Sequence, residues 1–431
     1  MYLSAGRVAD AAGGTARRDA ARRGAGRRGA GRRALRLVAP NVVALGAVSL
    51  ITDVSAEMVT AVLPLYLVAG LGLSPLAFGF VDGLYGGAGA LVRLAGGHLA
   101  DRRARHKLVA GAGYALSAVS KPALMAAASV PAVAAVLVAD RVGKGVRTAP
   151  RDALISLSSP PGAQGRAFGL HRAMDTTGAL LGPLVAFAVL SAAHQDYDPV
   201  FVASSCFAVL GLLVLWLFVR DRDGAAGGSV RATLRVLRRA RFARLCAAAA
   251  LLGVSTVSDA FIYLLLQRAV DLPVRYFPLL PVGTAATYLL LAVPLGVVAD
   301  RAGRGRVFLA GHAFLLLVYG LLLSPLGGAA LVAGCLALHG AFYAATDGVL
   351  MAIAGPLLPE GTRAGGLAVL QTGQALARFG GSLAFGAAWT WWGPHTALWA
   401  GAVSLATAGA CAAALLSARR PAARNRLEAD A

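Results

Sequence analysis

Residues 97–107 read GHLADRRARHK, and residues 296–306 read GVVADRAGRGR. Both stretches contain the pattern G-x-x-x-D-R-x-x-R, and each lies in a short hydrophilic gap between two long apolar runs. Matching turns at corresponding places in two halves of a chain are typical of membrane proteins built by internal duplication. The pair therefore predicts a duplicated membrane protein whose two halves move against each other.

A second pair of short motifs supports the duplication. Residues 166–170 read RAFGL and residues 363–367 read RAGGL, at an offset of 197 residues, and the two aspartates of the first pair are 199 residues apart. Two independent motifs with nearly the same offset indicate an internal repeat.

The composition indicates a helical membrane protein. Of the 431 residues, 58% are hydrophobic and only 14% are charged, whereas an average soluble domain has about 25% charged residues. Apolar runs of about 20 residues can cross a hydrocarbon core of roughly 30 Å as helices. The predicted spans lie near 38–69, 76–99, 108–129, 131–152, 167–191, 200–219, 244–267, 278–299, 307–326, 328–355, 364–391 and 396–417.

The basic residues predict the orientation of these spans. Of the 41 Lys and Arg residues, 30 fall in tails and loops on the side of the N-terminus, nine within spans and two on the opposite side. Such asymmetry follows the positive-inside rule, so we expect both termini to be cytoplasmic. We accordingly interpret the net charge of +21 as topological, with lipid and not nucleic acid as its partner.

The same pattern divides the chain into five parts. We predict a basic disordered cytoplasmic tail over residues 1–36, a six-helix bundle over 37–219, a cytoplasmic linker over 220–243, a second six-helix bundle over 244–417 and a cytoplasmic tail over 418–431. The N-terminal tail carries ten arginines and too few apolar residues to fold alone.

With these motifs in view, the chain from residue 38 to 417 resembles the major facilitator superfamily. The repeated D-R turns are similar to its loop motif, and Arg141–Gly145 resembles its fourth-helix R-x-x-x-G motif, which is linked with proton coupling. The strings DVSAEM at 53–58, GKGVRTAPRD at 143–152 and HRAMD at 171–175 are similar to a prokaryotic subgroup. The resemblance implies a twelve-helix fold of two pseudo-symmetric bundles, and a multi-pass protein of a prokaryotic cell membrane.

The resemblance also implies two sets of mechanical residues. A glycine motif expected to bend the fifth helix, typical of exporters of the superfamily, consists of Gly169, Gly178, Gly182 and Pro183. A cytoplasmic gate is expected at Gly97, Asp101, Arg102, Arg105, Gly296, Asp300, Arg301 and Arg304.

Polar and charged side chains inside the spans are candidates for proton coupling and for the substrate cavity. A charge near the middle of a membrane helix costs roughly 2.5–3.5 kcal/mol on insertion scales, so each needs a partner or a wet cavity. The candidates are Asp53, Glu57, Asp82, Arg93, Lys121, Arg141, Lys144, His171, Arg172, Asp175, Asp259, Asp347, Gln371, Gln374 and Arg378.

Local spacing predicts some pairs among these residues. Asp140 and Lys144 are at pairing distance along one helix, and His171 and Arg172 both reach Asp175. For Asp140, Arg151 and Asp152, near helix ends, we favour interhelical clamps; for Asp53, Glu57, Arg172 and Asp175 we favour function. His312 and His339 are isolated in sequence, which favours packing or a local hydrogen bond.

We interpret the chain as a secondary transporter that moves a small solute by alternating access, coupled to protons, without a cofactor and as a monomer. The glycine motif favours export of a drug-like compound or metabolite. The alternative is uptake of an organic anion or nutrient, which the cations Arg93, Lys121, Arg141, Lys144 and Arg172 would suit. A polytopic membrane enzyme and a non-transporting receptor are the remaining classes, and the sequence has no nucleophile motif, metal-ligand cluster or Walker loop.

Overall fold

Helices make up the regular secondary structure of the chain wherever its computed structural model describes it, namely residues 39–103, 106–127, 129–160, 163–193, 196–221, 236–359 and 363–417. The predicted all-α membrane fold is confirmed. The predicted tails and residues 222–235 of the predicted linker lie outside the described ranges.

Six helices form the first half of the described chain. They are α1 (Pro40–Leu65), α2 (Pro75–Arg103), α3 (His106–Met125), α4 (Val130–Leu157), α5 (Gln164–Ala192) and α6 (Asp198–Phe218). Pro40 and Pro75 are the first residues of their helices, where a missing backbone N–H leaves no hydrogen bond unmade. A wide turn over Tyr66–Gly70 extends α1.

The second half repeats this arrangement with one helix broken and two helices joined. It contains α7 (Ala240–Ser255), α8 (Asp259–Val270), α9 (Leu279–Ala302), α10 (Arg304–Leu323), α11 (Gly328–Ala354) and α12 (Arg363–Ser417). α7 and α8 are two pieces of one span, and α12 holds two spans that meet at Gly393, where φ is 82° and ψ is 165°. Counted in this way, the described helices make twelve segments, as many as the spans that the sequence predicts.

The break between α7 and α8 corrects the prediction of one continuous span over 244–267. Residues 256–258 leave the helical conformation, and the backbone N–H of Val257 donates to the Tyr319 hydroxyl at 2.8 Å. Non-helical backbone inside a membrane protein is tolerated where the protein satisfies its polar groups. Here a tyrosine from α10 supplies that partner.

Eight of the described helical segments are long and apolar enough to cross a membrane, with Gly365–Ser417 counted once. Within the described chain, α2, α3 and α4 are not among these eight. Charged side chains of α3 and α4 explain part of this result, because they make these helices less apolar. Among them, Lys121, Asp140 and Lys144 form ion pairs inside the bundle.

The two halves meet along α2 and the first part of α12, and along α5 and α9. A Cβ atom on Gly79 would lie 2.5 Å from the Ser382 carbonyl oxygen and 3.3 Å from the Gly386 Cα. Glycines at such crossings let membrane helices pack backbone against backbone. The α2–α12 contact is therefore close because both helices carry small residues there.

Contacts between the halves gather at the end of the bundle away from the N-terminus. The Leu76 N–H donates to Thr390 Oγ1 at 3.0 Å, and the rings of Phe187 and Tyr276 stack with centroids 5.9 Å apart. Further contacts between the halves join Asp82 to Ser382 and pair the rings of Phe78 with Phe261 and of Phe80 with Phe379, and on α2 all of them lie within the first eight residues. The bundle is therefore closed there.

Candidate functional site

A cavity of about 780 Å³ lies between the two halves. α1 and α2 contribute its wall from the first half, and α8 to α12 contribute most of the wall from the second half. Seven of the residues that the sequence predicts for the site line it: Glu57, Asp82, Asp259, Asp347, Gln371, Gln374 and Arg378.

The strongest polar cluster on the cavity wall is built around Asp259, in the first turn of α8. The Tyr343 hydroxyl lies 2.7 Å and 2.6 Å from the two carboxylate oxygens of Asp259. His339 Nε2 lies 3.2 Å from Asp259 Oδ1. The break before α8 places Asp259 opposite α11, where these two partners are one helical turn apart.

His339 therefore has a partner, and the expectation that it is isolated is wrong. His339, Tyr343 and Asp347 follow one another at four-residue intervals on α11, which places them on one helix face. That spacing is the signal that could have identified Tyr343 and His339 as members of the site. His312 behaves as expected, because its Nδ1 makes a local hydrogen bond of 2.9 Å with the Phe308 carbonyl oxygen.

A second polar network lies in the first half, behind the cavity wall. The Asp53 carboxylate lies 3.6 Å from Lys144 Nζ and 3.7 Å from Arg147 Nη2. Asp53 is buried, and its carboxyl group is beside that of Asp175 on α5. Glu57, one turn further along α1, lines the cavity, and the charges of Lys144 and Arg141 act on it.

Asp175 links this network to the exposed side of α5. Arg151 Nη1 lies 3.8 Å from the Asp175 carboxylate, and Arg172 Nη1 lies 3.3 Å from it. The Arg172 side chain is 73% exposed. His171 does not make its expected contact with Asp175: its ring is buried, and neither ring nitrogen has a hydrogen-bond partner among the described residues.

Lys121 and Asp140 form a buried pair between α3 and α4, 2.9 Å apart. Arg141 also approaches Asp140, at 3.7 Å. The expected pairing of Asp140 with Lys144 is wrong, because Lys144 instead points towards Asp53. These partners come from different helices, which spacing along one helix cannot reveal.

The Arg141 side chain contacts an aromatic ring of the cavity wall and does not itself line the cavity. Its guanidinium lies 3.5 Å from the ring centroid of Tyr85, which lines the cavity. The Tyr85 hydroxyl is 3.0 Å from Thr60 Oγ1, also on the cavity wall. None of the other candidate cations of the first half that the structure describes, Lys121, Lys144 and Arg172, lines the cavity.

The second D-R turn is held by its own arginine. Arg304 makes a 2.8 Å ion pair with Asp300 and donates to the Ala352 carbonyl oxygen at 2.9 Å. Gly303 connects α9 to α10 with φ of 102°, a conformation that favours glycine. No described atom would lie within 4 Å of a Cβ on Gly296, and Arg301 is exposed.

The first D-R turn lies mostly outside the described side chains. α2 continues through Gly97, Asp101 and Arg102, whereas Arg105 and the side chains of Arg93, Asp101 and Arg102 lie outside the described part of the chain. The cytoplasmic gate therefore stays a prediction.

Two glycines of the fifth-helix motif lie against α1. A Cβ on Gly178 would meet the Leu50 carbonyl group, and one on Gly182 would lie 2.7 Å from Glu57 Cβ. A Cβ on Gly169 would meet no described atom within 4 Å, and Pro183 lies inside α5. The motif holds α5 close to the helix that carries Asp53 and Glu57, while its bending role stays a prediction.

No group of three or more His, Cys, Asp or Glu side chains in the described residues could hold a metal ion. The polar clusters instead consist of carboxylates with guanidinium, ammonium, hydroxyl and imidazole partners. Such an arrangement can bind a charged small molecule and exchange protons.

Comparison with known proteins identifies the family. The model of the Major Facilitator Superfamily matches residues 45–283 and 245–431. An uncharacterised MFS-type transporter of Methanocaldococcus jannaschii is 28% identical over 371 residues, which cover 82% of this chain and 89% of the relative.

Two solved structures share the fold at low sequence identity. The nucleoside transporter NupG is 14% identical, with a TM-score of 0.73 over 88% of this chain and 99% of that one. A bacterial homologue of the human lysosomal transporter Spinster, in an inward-facing and occupied conformation, is 17% identical, with a TM-score of 0.70 over 87% of this chain and 96% of that one.

Proposed function

Because the chain belongs to the major facilitator superfamily, we propose that this membrane transporter moves a small solute by alternating access, driven by protons and in the direction of export. The observation that carries the proposal is the cavity of about 780 Å³ that both halves share. A cavity between two halves that touch at one end is the geometry that rocking of the halves requires.

The distribution of basic residues supports the direction in which this conformation faces. With both termini in the cytoplasm, the closed end with Leu76 and Thr390 faces outward. The cavity would then receive its solute from the cytoplasm. The glycine motif of α5, similar to that of exporters, supports the same direction of net transport.

The carboxylates of α1 and α5 support proton coupling. Glu57 contacts the cavity, and the neighbouring carboxyl groups of Asp53 and Asp175 lie behind it among Lys144, Arg147 and Arg151. Two adjacent carboxyl groups in a poorly solvated site repel each other unless they hold a proton between them. A change in the distance to these cations would change how tightly the proton is held.

The organic-anion alternative depended on five cations of the first half. Lys121, Arg141, Lys144 and Arg172 do not line the cavity, and the side chain of Arg93 lies outside the described residues. Carboxylates outnumber cations on the described wall. We therefore do not adopt uptake of an organic anion as a second candidate function.

The proposal is tested by replacing Glu57 with glutamine in proteoliposomes. Solutes are first identified by counterflow, which needs no pH gradient. Accumulation of the labelled solute under a pH gradient is then measured, and a pH-sensitive dye inside the vesicles records the accompanying proton movement. We expect Glu57→Gln to keep solute exchange and to lose accumulation, because the amide cannot carry the proton. Asp271→Asn, an exposed carboxylate at the end of α8, should keep both. Undiminished accumulation by Glu57→Gln would refute its coupling role.

A further inference from the structure

The carboxylates on the cavity wall have few cationic partners, and from this we infer that the solute is an organic cation. We propose that its ammonium group binds between Asp82 of α2 and Asp259 of α8, one carboxylate from each half. This inference rests on the proposed transport function and adds the chemical class of the solute and the residues that select it.

Asp82 is a carboxylate without an ionic partner in the described chain. Its Oδ2 accepts a hydrogen bond of 2.7 Å from Ser382 Oγ on α12, and no described Lys, Arg or His lies within 4.0 Å of it. Asp82 and Asp259 line the same cavity. Phe78, one turn before Asp82, packs against Phe261, two residues after Asp259, with ring centroids 4.9 Å apart. A single cation between these two like charges would relieve their repulsion and would join the two halves.

Asp259 is oriented towards the cavity by its partners. The Tyr343 hydroxyl donates to it from α11 and His339 Nε2 lies 3.2 Å from its Oδ1, while the Asp259 side chain remains 44% exposed. A carboxylate oxygen accepts more than one hydrogen bond, so these contacts fix its position and leave lone pairs for a ligand. An ammonium group, which has donors and no acceptor, matches that requirement.

The rest of the wall carries the same sign of charge. Four carboxylates line the cavity, and Arg378 is the single Lys or Arg among its described lining residues. Arg378 lies near Asp259, Asp347 and Tyr343 and so compensates part of the second half only. An anionic solute would add to this excess of carboxylates on the wall, whereas a cationic solute would balance it.

The apolar part of the wall indicates what the cation carries. Tyr85, Tyr343 and Phe379 line the cavity together with the carboxylates, and each of these side chains is partly exposed. Aromatic rings bind hydrophobic groups and attract ammonium ions to their faces. The wall therefore fits an amphipathic amine with an aromatic or aliphatic body, and it does not fit a small inorganic cation.

Three probes with one body and different head groups test the inference: 4-phenylbutylamine, 4-phenylbutanoate and 4-phenylbutanol. Each is titrated onto the purified full-length protein in detergent, and the unfolding temperature is recorded, because a ligand that binds the folded state raises it. The amine is protonated at neutral pH. We expect it to stabilise the protein at a concentration about tenfold or more below that of either analogue.

Substitution of the two carboxylates locates the site. Asp82→Asn and Asp259→Asn should each weaken amine binding by about tenfold or more, because a hydrogen bond to a charged group is lost. Asp271→Asn removes an exposed carboxylate of α8 outside the cavity and should leave binding unchanged. Where an asparagine variant does not fold, hydrogen exchange of the wild type is followed by mass spectrometry; the amine should slow exchange in the segments around Asp82 and Asp259, and the carboxylate should not.

Equal or stronger stabilisation by 4-phenylbutanoate, no stabilisation by the amine, or amine binding that survives both substitutions would overturn the inference. Failure of the proposed transport function would give different results from failure of the cation site. Amine binding without solute exchange in proteoliposomes would contradict transport and leave the cation site standing. Proton-driven transport of an anion, with no amine binding, would contradict the cation site and leave transport standing.

Discussion

At the scale of single residues, the charged side chains of the first half serve two different purposes. Asp53, Glu57 and Asp175 lie at or behind the cavity, whereas Lys121 and Asp140 join α3 to α4 away from it. Both kinds look alike in sequence, as charges within apolar runs. The two kinds are distinguished by substitution: removing one partner of a buried pair lowers the stability of the fold, whereas removing a carboxylate at the cavity is expected to impair transport.

The pair of Lys121 and Asp140 is predicted to stabilise the fold. Lys121→Met leaves the buried Asp140 carboxylate with Arg141 at 3.7 Å as its ionic partner, and breaking a buried ion pair by removing one partner costs about 3–5 kcal/mol. We expect a clear drop in the unfolding temperature of the purified protein in detergent. Arg306→Met, which removes an exposed cation in the first turn of α10, should shift stability by no more than about 0.5 kcal/mol. Equal stability of the two variants would contradict the clamp.

Sequence reading could find these charges but not their partners. Helical spacing correctly pairs Arg172 with Asp175, since both lie on α5. It fails for Lys144, whose partner Asp53 lies on α1, because the rotation of one helix against another is fixed by packing across the bundle. Tyr343 was missed for a related reason: an uncharged residue in an apolar run is not conspicuous until Asp259 lies opposite it.

At the scale of helices, glycines set the distance between α1 and α5. Gly178→Ala would place a methyl group against the Leu50 carbonyl, within 3.0 Å of its carbon atom. Backbone cannot move away as a side chain can, so we expect a lower unfolding temperature and a lower yield of folded protein.

Gly169→Ala is the matched control, since it lies on the same helix and its added Cβ meets no described atom. Replacing glycine by alanine inside a helix stabilises it by about 1 kcal/mol when nothing clashes. The control should therefore be neutral or slightly more stable. If Gly178→Ala behaves like Gly169→Ala, the close packing of α1 on α5 is not what the glycine provides.

The helices themselves were predictable because apolar runs of membrane length are unambiguous, and the turn at Gly393 follows from a Gly-Pro pair. The break in the seventh span was not predicted. It has no proline, and its stabilising partner, Tyr319, lies 62 residues away. A break maintained by such a distant contact leaves only a weak local signal, the run of Ser and Thr residues at 255–258.

At the scale of the whole molecule, the side of the membrane that each end faces is a prediction from charge. Single cysteines at Asp196 and Arg238, in a background without the four native cysteines, can be labelled on intact cells with an impermeant thiol reagent. Both positions are exposed. The positive-inside rule predicts that position 196 reacts and position 238 does not. The reverse pattern would refute the orientation and, with it, the outward position of the closed end.

The duplicated D-R turns predicted two halves, and the structure has two groups of helices with a cavity between them. The sequence did not reveal where the halves touch. Glycine, serine and phenylalanine residues make that contact, and in a membrane chain such residues are too common to indicate an interface. Only their position on α2 and α12 gives them that role.

The central claim is that the halves rock about the cavity under the control of protons, and distances between spin labels test it without a known solute. One pair joins Asp196 to Asp271 at the closed end, and another joins Ser159 to Ala302 at the opposite end, each pair spanning the two halves. Electron–electron double resonance in liposomes is recorded in mildly acidic and mildly alkaline buffer. The account predicts opposite changes, with the first distance lengthening as the second shortens, and Glu57→Gln should abolish the response to pH. Distances that stay fixed, or that change together, would contradict it.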